Sequence, residues 1–177
     1  TGLPLKQGLS ITDRTLREYG VRENVTLFAS GKIATPAEVA MAMALGADAV
    51  GIARGFLLAV GCIQSLKCHV GDCPAGICTQ SEYAQKAIDV EAASDRVATY
   101  AKTLIKDTQM LAASCGYTDP SQFTPHDAVI CVEPGRWVHL ADLAVPARRD
   151  QRRAETSDPA GQRKIDPLAT EVNVKPR

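Results

Sequence analysis

The sequence predicts an α/β fold in which short parallel strands alternate with helices. Over residues 9–61, amphipathic helical segments and short runs of apolar and β-branched residues follow one another, with only short loops between them. Such alternation is typical of parallel strands that are joined by crossover helices. A second observation is the stretch 81–113, which contains neither Pro nor Gly and therefore predicts a longer helical extension.

The first helix is predicted over residues 8–19. Leu9 and Leu16 recur on one helical face between charged residues, and Gly20 follows as a typical C-terminal stop. The run 24–29 is short, apolar and partly β-branched, which predicts a buried strand.

The second helix has a clear N-terminal signal. Thr35 can cap the helix, Pro36 fits its first turn, and Glu38 stands three residues after the cap. The apolar run that follows stops at Gly46, and residues 48–53 then predict a second buried strand.

Residues 56–61 predict a third, apolar helix. Because two strands cannot form a stable parallel sheet by themselves, the part up to residue 61 is expected to be the last portion of a larger β/α structure. Downstream, the helix over 81–113 has a possible break near Asp89 and ends at Gly116, and short helical turns follow between residues 119 and 127.

Composition excludes several classes of protein. Hydrophobic residues make up 45% of the 177 residues, which is enough for one domain with a core. The 20 Lys and Arg residues balance 20 Asp and Glu residues, so nucleic-acid binding is not indicated. No apolar run approaches the roughly 20 residues of a transmembrane segment, and no signal segment opens the chain. We therefore expect a cytoplasmic protein.

The most informative segment is rich in cysteine. Cys62, Cys68 and Cys73 are separated by five and four residues, and Cys78 follows. Thiolates this close together on a Gly-rich backbone can converge on an iron–sulfur cluster. Zinc favours C-x2-C pairs, which this segment lacks.

Two other interpretations of these cysteines stay open at this point. Disulfides would need an oxidising compartment, which the sequence does not indicate. Ordinary free thiols are the second alternative, since Cys62 follows the apolar run 56–60 and could be a small core residue.

The two predicted strand ends form a second candidate site. Ser30-Gly31-Lys32 follows the first strand, and residues 51–55 end the second. Small residues let backbone N–H groups approach a phosphate, and a basic side chain adds a charge-assisted contact. Each loop carries one base, Lys32 or Arg54, although ordinary tight-turn glycines would give the same local pattern.

Together, these segments resemble the FMN domain of the glutamate synthase family, in its large-subunit-like form. The shared motif positions are Gly61-Cys62, Cys68-His69, Cys73-Pro74, Gly76-Ile77-Cys78-Thr79-Gln80 and Ser30-Gly31-Lys32-Ile33. The resemblance covers residues 2–127 and is strongest over 24–80. Its motifs fix three Cys, one His, one Gly and a terminal Thr-Gln at once.

The resemblance implies a fold and a division into segments. Residues 1–61 would be the last βα units of a (β/α)8 TIM-type barrel, and 62–80 the iron–sulfur loop. Outside the resemblance, the residues themselves predict a helical extension over 81–133 and, from a composition rich in Pro and polar residues, a polar, flexible tail over 134–177. A complete barrel needs about 250 residues. The chain, which opens without Met, is therefore expected to be an incomplete barrel that is inactive alone.

The resemblance also implies two cofactors. An iron–sulfur cluster, with 3Fe–4S favoured, would be held by Cys62, Cys68 and Cys73, with His69 near it. FMN would be held by the residues at the strand ends, namely Ser30, Gly31, Lys32, Gly51, Ala53 and Arg54. Cys78 stands where the family usually has Ala; it could be a fourth ligand or a spare buried thiol, and its place outside the three-Cys pattern favours the spare thiol.

The function expected from the resemblance is an oxidoreductase of nitrogen metabolism. It would form glutamate from 2-oxoglutarate and ammonia by reducing 2-iminoglutarate. The expected partners are the upstream half of the barrel or a second copy, a glutamine amidotransferase and an electron donor, each a subunit or domain. The alternatives are a non-catalytic assembly module and a flavin enzyme acting on a methylated amine.

Overall fold

The structure, a computed structural model, describes residues 2–143. Five α-helices and four strands lie in this part of the chain. The helices are α1 (Leu5–Glu18), α2 (Pro36–Ala44), α3 (Arg54–Val60), α4 (Glu82–Gln85) and α5 (Val90–Ser114). The strands are β1 (Phe28–Ser30), β2 (Ala49–Gly51), β3 (Val129–Glu133) and β4 (Arg136–His139). Short 3-10 helices are Arg22–Asn24, Cys68–Val70, Pro120–Gln122 and Leu140–Leu143.

The predicted α/β alternation is confirmed over α1, β1, α2, β2 and α3. β1 and β2 pair in parallel, with Phe28 opposite Ala49 and Ser30 opposite Gly51, and α2 is the crossover helix. No closed barrel is formed by residues 2–143, whose strands make two separate two-stranded sheets.

Both parallel strands are shorter than the sequence predicted. The backbone N–H of Leu27 donates to the carboxylate of Asp48 at 2.7 Å instead of to a backbone carbonyl, and β1 begins only at the next residue. Residues 22–24 form a 3-10 turn, which takes the start of the predicted strand out of the extended conformation. Asp48, the polar residue that opens the run 48–53, therefore marks where the parallel sheet begins.

The N-terminus of α2 has the predicted capping box. The Glu38 carboxylate accepts hydrogen bonds from the N–H groups of Ala34 (2.9 Å) and Thr35 (3.0 Å), and the Glu38 N–H donates to the Thr35 hydroxyl at 3.3 Å. The hydrogen bonds that the Glu38 carboxylate accepts, with that of the Ala34 N–H first, lower the pKa of Glu38. The capping box thus fixes the path of the chain from the end of β1 into α2.

α5 packs against α2 and α3 and closes the core. Its buried residues Leu104, Thr108 and Ala112 recur every four positions, which places them on one helical face. The Thr108 hydroxyl donates to the Leu104 carbonyl at 2.7 Å, so its burial leaves no unpaired donor. The break predicted near Asp89 is confirmed, since Asp89 caps α5 through its carboxylate.

An ion-pair cluster lies at the amino ends of β1 and β2. Arg22 donates to Asp13 (2.6 Å), to Asp48 (2.8 Å) and to the carbonyls of Val25 (2.8 Å) and Gly46 (2.9 Å). Its side chain is only 11% exposed. The cluster joins α1, the turn after α2 and the chain entering both strands, on the side away from the strand-end loops.

The antiparallel hairpin of β3 and β4 was not predicted from the sequence. Val129 pairs with His139 and Ile130 with Val138, and the register shifts between Cys131 and Glu133. Most positions of both strands are exposed, so the apolar alternation that normally reveals a hairpin is weak. The flexible tail was expected over 134–177, but its first part is ordered, since it contains β4 and the 3-10 turn Leu140–Leu143. Residues 144–177 lie outside the described residues.

Candidate functional site

The two strand-end loops lie side by side at the carboxyl edge of the parallel pair. The Ser30 hydroxyl donates to the Gly51 carbonyl at 3.2 Å, which links the ends of β1 and β2 directly. Gly31 and Lys32 follow on one side, and Ala53 and Arg54 on the other, and all four are exposed. The structure therefore brings together the six residues expected to hold a flavin phosphate; these are Ser30, Gly31, Lys32, Gly51, Ala53 and Arg54.

The backbone of the first loop is in a conformation that side chains rarely adopt. Lys32 has φ +57° and follows Gly31, which has φ +151°. A left-handed conformation costs a residue with a side chain roughly 1 kcal/mol or more, and such strain is concentrated at functional sites. Within residues 2–143, neither Lys32 nor Arg54 forms an ion pair with a carboxylate. Both positive charges are therefore available to an anion.

Tyr100 of α5 holds the two loops in place, a role that the sequence did not reveal. Its hydroxyl donates to the Ala34 carbonyl at 2.7 Å, and its ring meets that of Phe56 edge-on with centroids 5.1 Å apart. A Cβ at Gly55 would overlap the Tyr100 hydroxyl. A contact between two residues that are 66 positions apart leaves no local signal in the sequence.

The cysteine loop begins where α3 ends. Gly61, with φ +124°, terminates the helix, and Cys62 follows it. Arg96 of α5 donates to the carbonyls of Ala59 (3.1 Å) and Val60 (3.0 Å), which fixes this end of α3. Arg96 is a second positioning residue that sequence reasoning missed, since nothing local connects it with residues 36 positions away.

The loop then folds into a compact turn around Cys73. A bridge pairs Asp72 with Thr79 in antiparallel fashion and closes the segment between them. Gly76 has φ +76°, and a Cβ there would overlap the Ala84 carbonyl of α4, so only glycine fits this turn without strain. Cys73 is buried, at 6% exposure, whereas Cys68 is exposed and Cys62 is half-buried.

The sulfur of Cys73 is surrounded by backbone donors. The N–H groups of Cys78 first, and then of Ala75, Ile77 and Gly76, donate hydrogen bonds that lower the pKa of the Cys73 thiol, while burial opposes them. Hydrogen bonds to a thiolate stabilise the charged form that binds metal and tune the potential of an iron–sulfur cluster. The Cys62 sulfur likewise accepts from the Gln64 N–H at 3.4 Å.

Cys62, Cys68, Cys73 and Cys78 lie in one neighbourhood. Partial desolvation raises the pKa of the Cys68 thiol, and the negative charges of the other three thiolates raise it further. All six cysteines of the chain are free, so no two of them form a disulfide bond. His69 is exposed next to Cys68.

Within residues 2–143, no group of three or more Cys, His, Asp or Glu side chains is arranged around a point where one metal ion could sit. An iron–sulfur cluster places its thiolates on different irons, so its ligands need not meet at one atom. Several thiols with N–H donors at their sulfurs have the chemistry of such a site.

Comparison with known proteins identifies the family. Residues 1–118 match the model of the family described as a conserved region in glutamate synthase. The chain belongs to the glutamate synthase family. The match includes both strand-end loops and the whole cysteine loop.

Individual members of the glutamate synthase family agree with this assignment. The chain is 42% identical over 142 residues to the glutamate synthase large subunit-like protein YerD of Bacillus subtilis, an overlap that covers 80% of this chain and 27% of that protein. It is 36% identical over 115 residues to an archaeal glutamate synthase [NADPH] of Methanocaldococcus jannaschii (65% and 22%). It is 30% identical over 125 residues to glutamate synthase [NADH] of Saccharomyces cerevisiae (71% and 6%). The chain thus spans 27% or less of these three relatives.

None of the helices described in residues 2–143 combines the length and the apolar character that crossing a bilayer requires.

Proposed function

We propose that the chain supplies the last βα units of an FMN barrel, and the iron–sulfur loop beside it, to an oxidoreductase of glutamate synthase type. The reaction is the condensation of 2-oxoglutarate with ammonia to 2-iminoglutarate, followed by a two-electron reduction of this imine to glutamate. The observation that carries the proposal is the placement of the two candidate cofactor sites at opposite ends of α3.

α3 separates the two sites by a short distance. Arg54 begins the helix in the strand-end loop, and Cys62 follows the glycine that ends it. At 1.5 Å per residue, its seven residues span about 10 Å. A flavin phosphate at one end and a cluster at the other would be fixed in separation by one rigid element. When bound, the two groups supply single-electron transfer and hydride donation.

The strand-end loops have the features that an anionic phosphate requires. Lys32 and Arg54 provide two positive charges on adjacent loops, and glycine at 31 and 51 lets the backbone approach closely. In a complete (β/α)8 barrel, the loops after the seventh and eighth strands commonly hold a phosphate. We assign β1 and β2 to these two strands.

The exposed surface of β1 supports a larger sheet. Each strand of the parallel pair has one partner within residues 2–143, so each has one free edge. Phe28 on β1 is 65% exposed, and a groove of about 620 Å³ lies between β1 and α1, lined partly by Leu5, Leu27 and Phe28. Free edges and exposed apolar side chains favour pairing with further strands. Those strands would come from the upstream half of the barrel or from a second copy.

In the cysteine loop, Cys62, Cys68 and Cys73 would bind the irons of a 3Fe–4S cluster. The backbone donors around Cys73 lower the pKa of its thiol and so favour the thiolate, which is the form that binds iron. The names of two relatives specify NADPH and NADH, so a pyridine nucleotide is the proposed source of electrons, delivered through an electron-donor subunit or domain. A glutamine amidotransferase subunit or domain would supply the ammonia.

The experiment combines substrate turnover with flavin binding. The protein that contains this chain is supplied with FMN, 2-oxoglutarate, isotopically labelled ammonia and a reductant, and labelled glutamate is measured. Lys32→Ala/Arg54→Ala should weaken FMN affinity about tenfold or more, since a charge-assisted hydrogen bond contributes about 1.5–3 kcal/mol. Lys106→Ala, which removes an exposed base on α5, is the matched control and should leave the affinity unchanged.

Two results would contradict the proposal. If the double variant and Lys106→Ala bind FMN with equal affinity, the strand-end loops do not bind the flavin phosphate. Labelled product from a methylated amine but none from ammonia would assign the barrel to a different substrate.

A further inference from the structure

The position of Cys78 differs from that of a spare core thiol. The sequence favoured a buried, unused side chain at this position, but Cys78 is exposed. Its sulfur donates a hydrogen bond to the Cys68 carbonyl, with the two atoms 3.6 Å apart. A thiol that is needed only for packing would lie among apolar side chains.

The fold of the loop brings Cys78 to the proposed iron ligands. The bridge between Asp72 and Thr79 turns the chain back on itself, so Cys78 returns beside Cys68 although ten residues separate them. The side chain of Cys78 therefore contacts the backbone of Cys68, which is itself a proposed ligand.

The loop over residues 62–78 therefore holds four thiols, those of Cys62, Cys68, Cys73 and Cys78, whereas the family pattern requires three.

We propose that Cys78 is a fourth thiolate ligand, which lets this loop bind one additional ferrous ion and convert a three-iron cluster into a 4Fe–4S cluster. The inference rests on the proposed function, because it presupposes the cluster held by Cys62, Cys68 and Cys73. The ligand class is Fe²⁺ alone, and Cys78 would hold this ion through its thiolate.

The conversion takes up one electron and one Fe²⁺ and releases one proton. A low-potential one-electron reductant, such as dithionite, first brings the three-iron cluster from its oxidised to its neutral form. One Fe²⁺ would then add to the reduced cluster with the sulfur of Cys78 as its protein ligand, and the thiol proton would leave to solvent. No further electron moves, and the product is a 4Fe–4S cluster of charge 2+. Four-cysteine ligation is the usual form of such a cluster.

The test compares the wild-type protein, Cys78→Ser and the control Cys115→Ser, which removes an exposed thiol at the end of α5. Each is loaded anaerobically with a three-iron cluster, reduced with dithionite and given excess Fe²⁺. Iron per chain is measured, together with Mössbauer and EPR spectra. The wild-type and Cys115→Ser proteins should rise from about three to about four irons per chain, and Cys78→Ser should stay at about three.

The outcomes separate this inference from the proposed function. A wild-type protein that stays at three irons, or a Cys78→Ser variant that gains the fourth iron equally well, overturns the role of Cys78 and leaves the three-iron site intact. A wild-type protein that assembles no cluster overturns both. If circular dichroism shows that Cys78→Ser is misfolded, the proximity of Cys68 and Cys78 is tested instead by cross-linking the iron-free wild-type protein with dibromobimane. A bridge between Cys68 and Cys78 is expected, and its absence overturns the inference.

Discussion

Gly76 is the residue whose replacement tests the structure of the cysteine loop most sharply. Its φ of +76° and the position of the Ala84 carbonyl leave no room for a Cβ. In Gly76→Ala, the left-handed conformation costs about 1–2 kcal/mol, and the overlap with a backbone atom that cannot rotate away adds about 1–3 kcal/mol. We expect a loss of about 2–5 kcal/mol in the stability of the turn that holds Cys73.

Gly71 provides the matched control for this prediction. It has nearly the same backbone conformation, φ +69°, but a Cβ there would have nothing within 4 Å. Gly71→Ala therefore carries the backbone strain without the overlap, at a cost of about 1–2 kcal/mol. The difference between the two variants isolates the contact between the turn and α4.

Urea unfolding of the iron-free protein, followed by circular dichroism, gives the free energy of unfolding for each variant. The rate of alkylation of Cys73 against pH gives a second readout. Because Gly76→Ala displaces the N–H donors around the Cys73 sulfur, the pKa of this thiol should rise, whereas Gly71→Ala should leave it unchanged. Equal losses of stability and equal alkylation profiles in the two variants would refute the packing described for this loop.

Two further predictions concern the scaffold of the site. Arg22→Met should lower the free energy of unfolding by about 3 kcal/mol, because it removes a largely buried guanidinium that donates to the Asp13 carboxylate and to the Gly46 carbonyl. Arg17→Met, which removes the exposed partner of Asp13, should cost less than about 1 kcal/mol. Similar losses in urea unfolding would contradict this difference. Glu38 has a lowered pKa in the folded state, so its contribution to stability is present above the unfolded pKa of about 4.3 and is lost as the pH falls through the folded value. The melting temperature of the wild-type protein should therefore decrease below about pH 4, and that of Glu38→Gln should decrease less; identical slopes would show that the capping box is not the source.

Local signals in the sequence were sufficient for most of the elements. The capping box at Thr35 and Glu38, the stop at Gly46 and the break at Asp89 each depend on residues within one helical turn, and all three were predicted correctly. The strands were predicted too long, because the boundary of β1 depends on the carboxylate of Asp48, which reaches it from 21 residues away.

The candidate site was predicted less completely than the elements. The spacing of the cysteines in the sequence was enough to group them as one candidate site. The alternation of strands and helices predicted that the two strand-end loops lie at one edge of the sheet. The roles of Tyr100 and Arg96 could not be predicted, because each contacts a segment at least 36 residues away and neither belongs to a motif. The position of Cys78 depended on the bridge at Asp72 and Thr79, which no local pattern indicated.

The central claim is that Cys62, Cys68 and Cys73 hold an iron–sulfur cluster. The most direct measurement is the iron and acid-labile sulfide content of the protein purified without oxygen, together with its EPR spectrum, for the wild type, Cys68→Ser and Cys115→Ser. We predict three to four irons per chain in the wild type and in Cys115→Ser, the fourth depending on Cys78, and none in Cys68→Ser. A colourless, iron-free wild-type protein, or a Cys68→Ser variant that retains its iron, would contradict the claim.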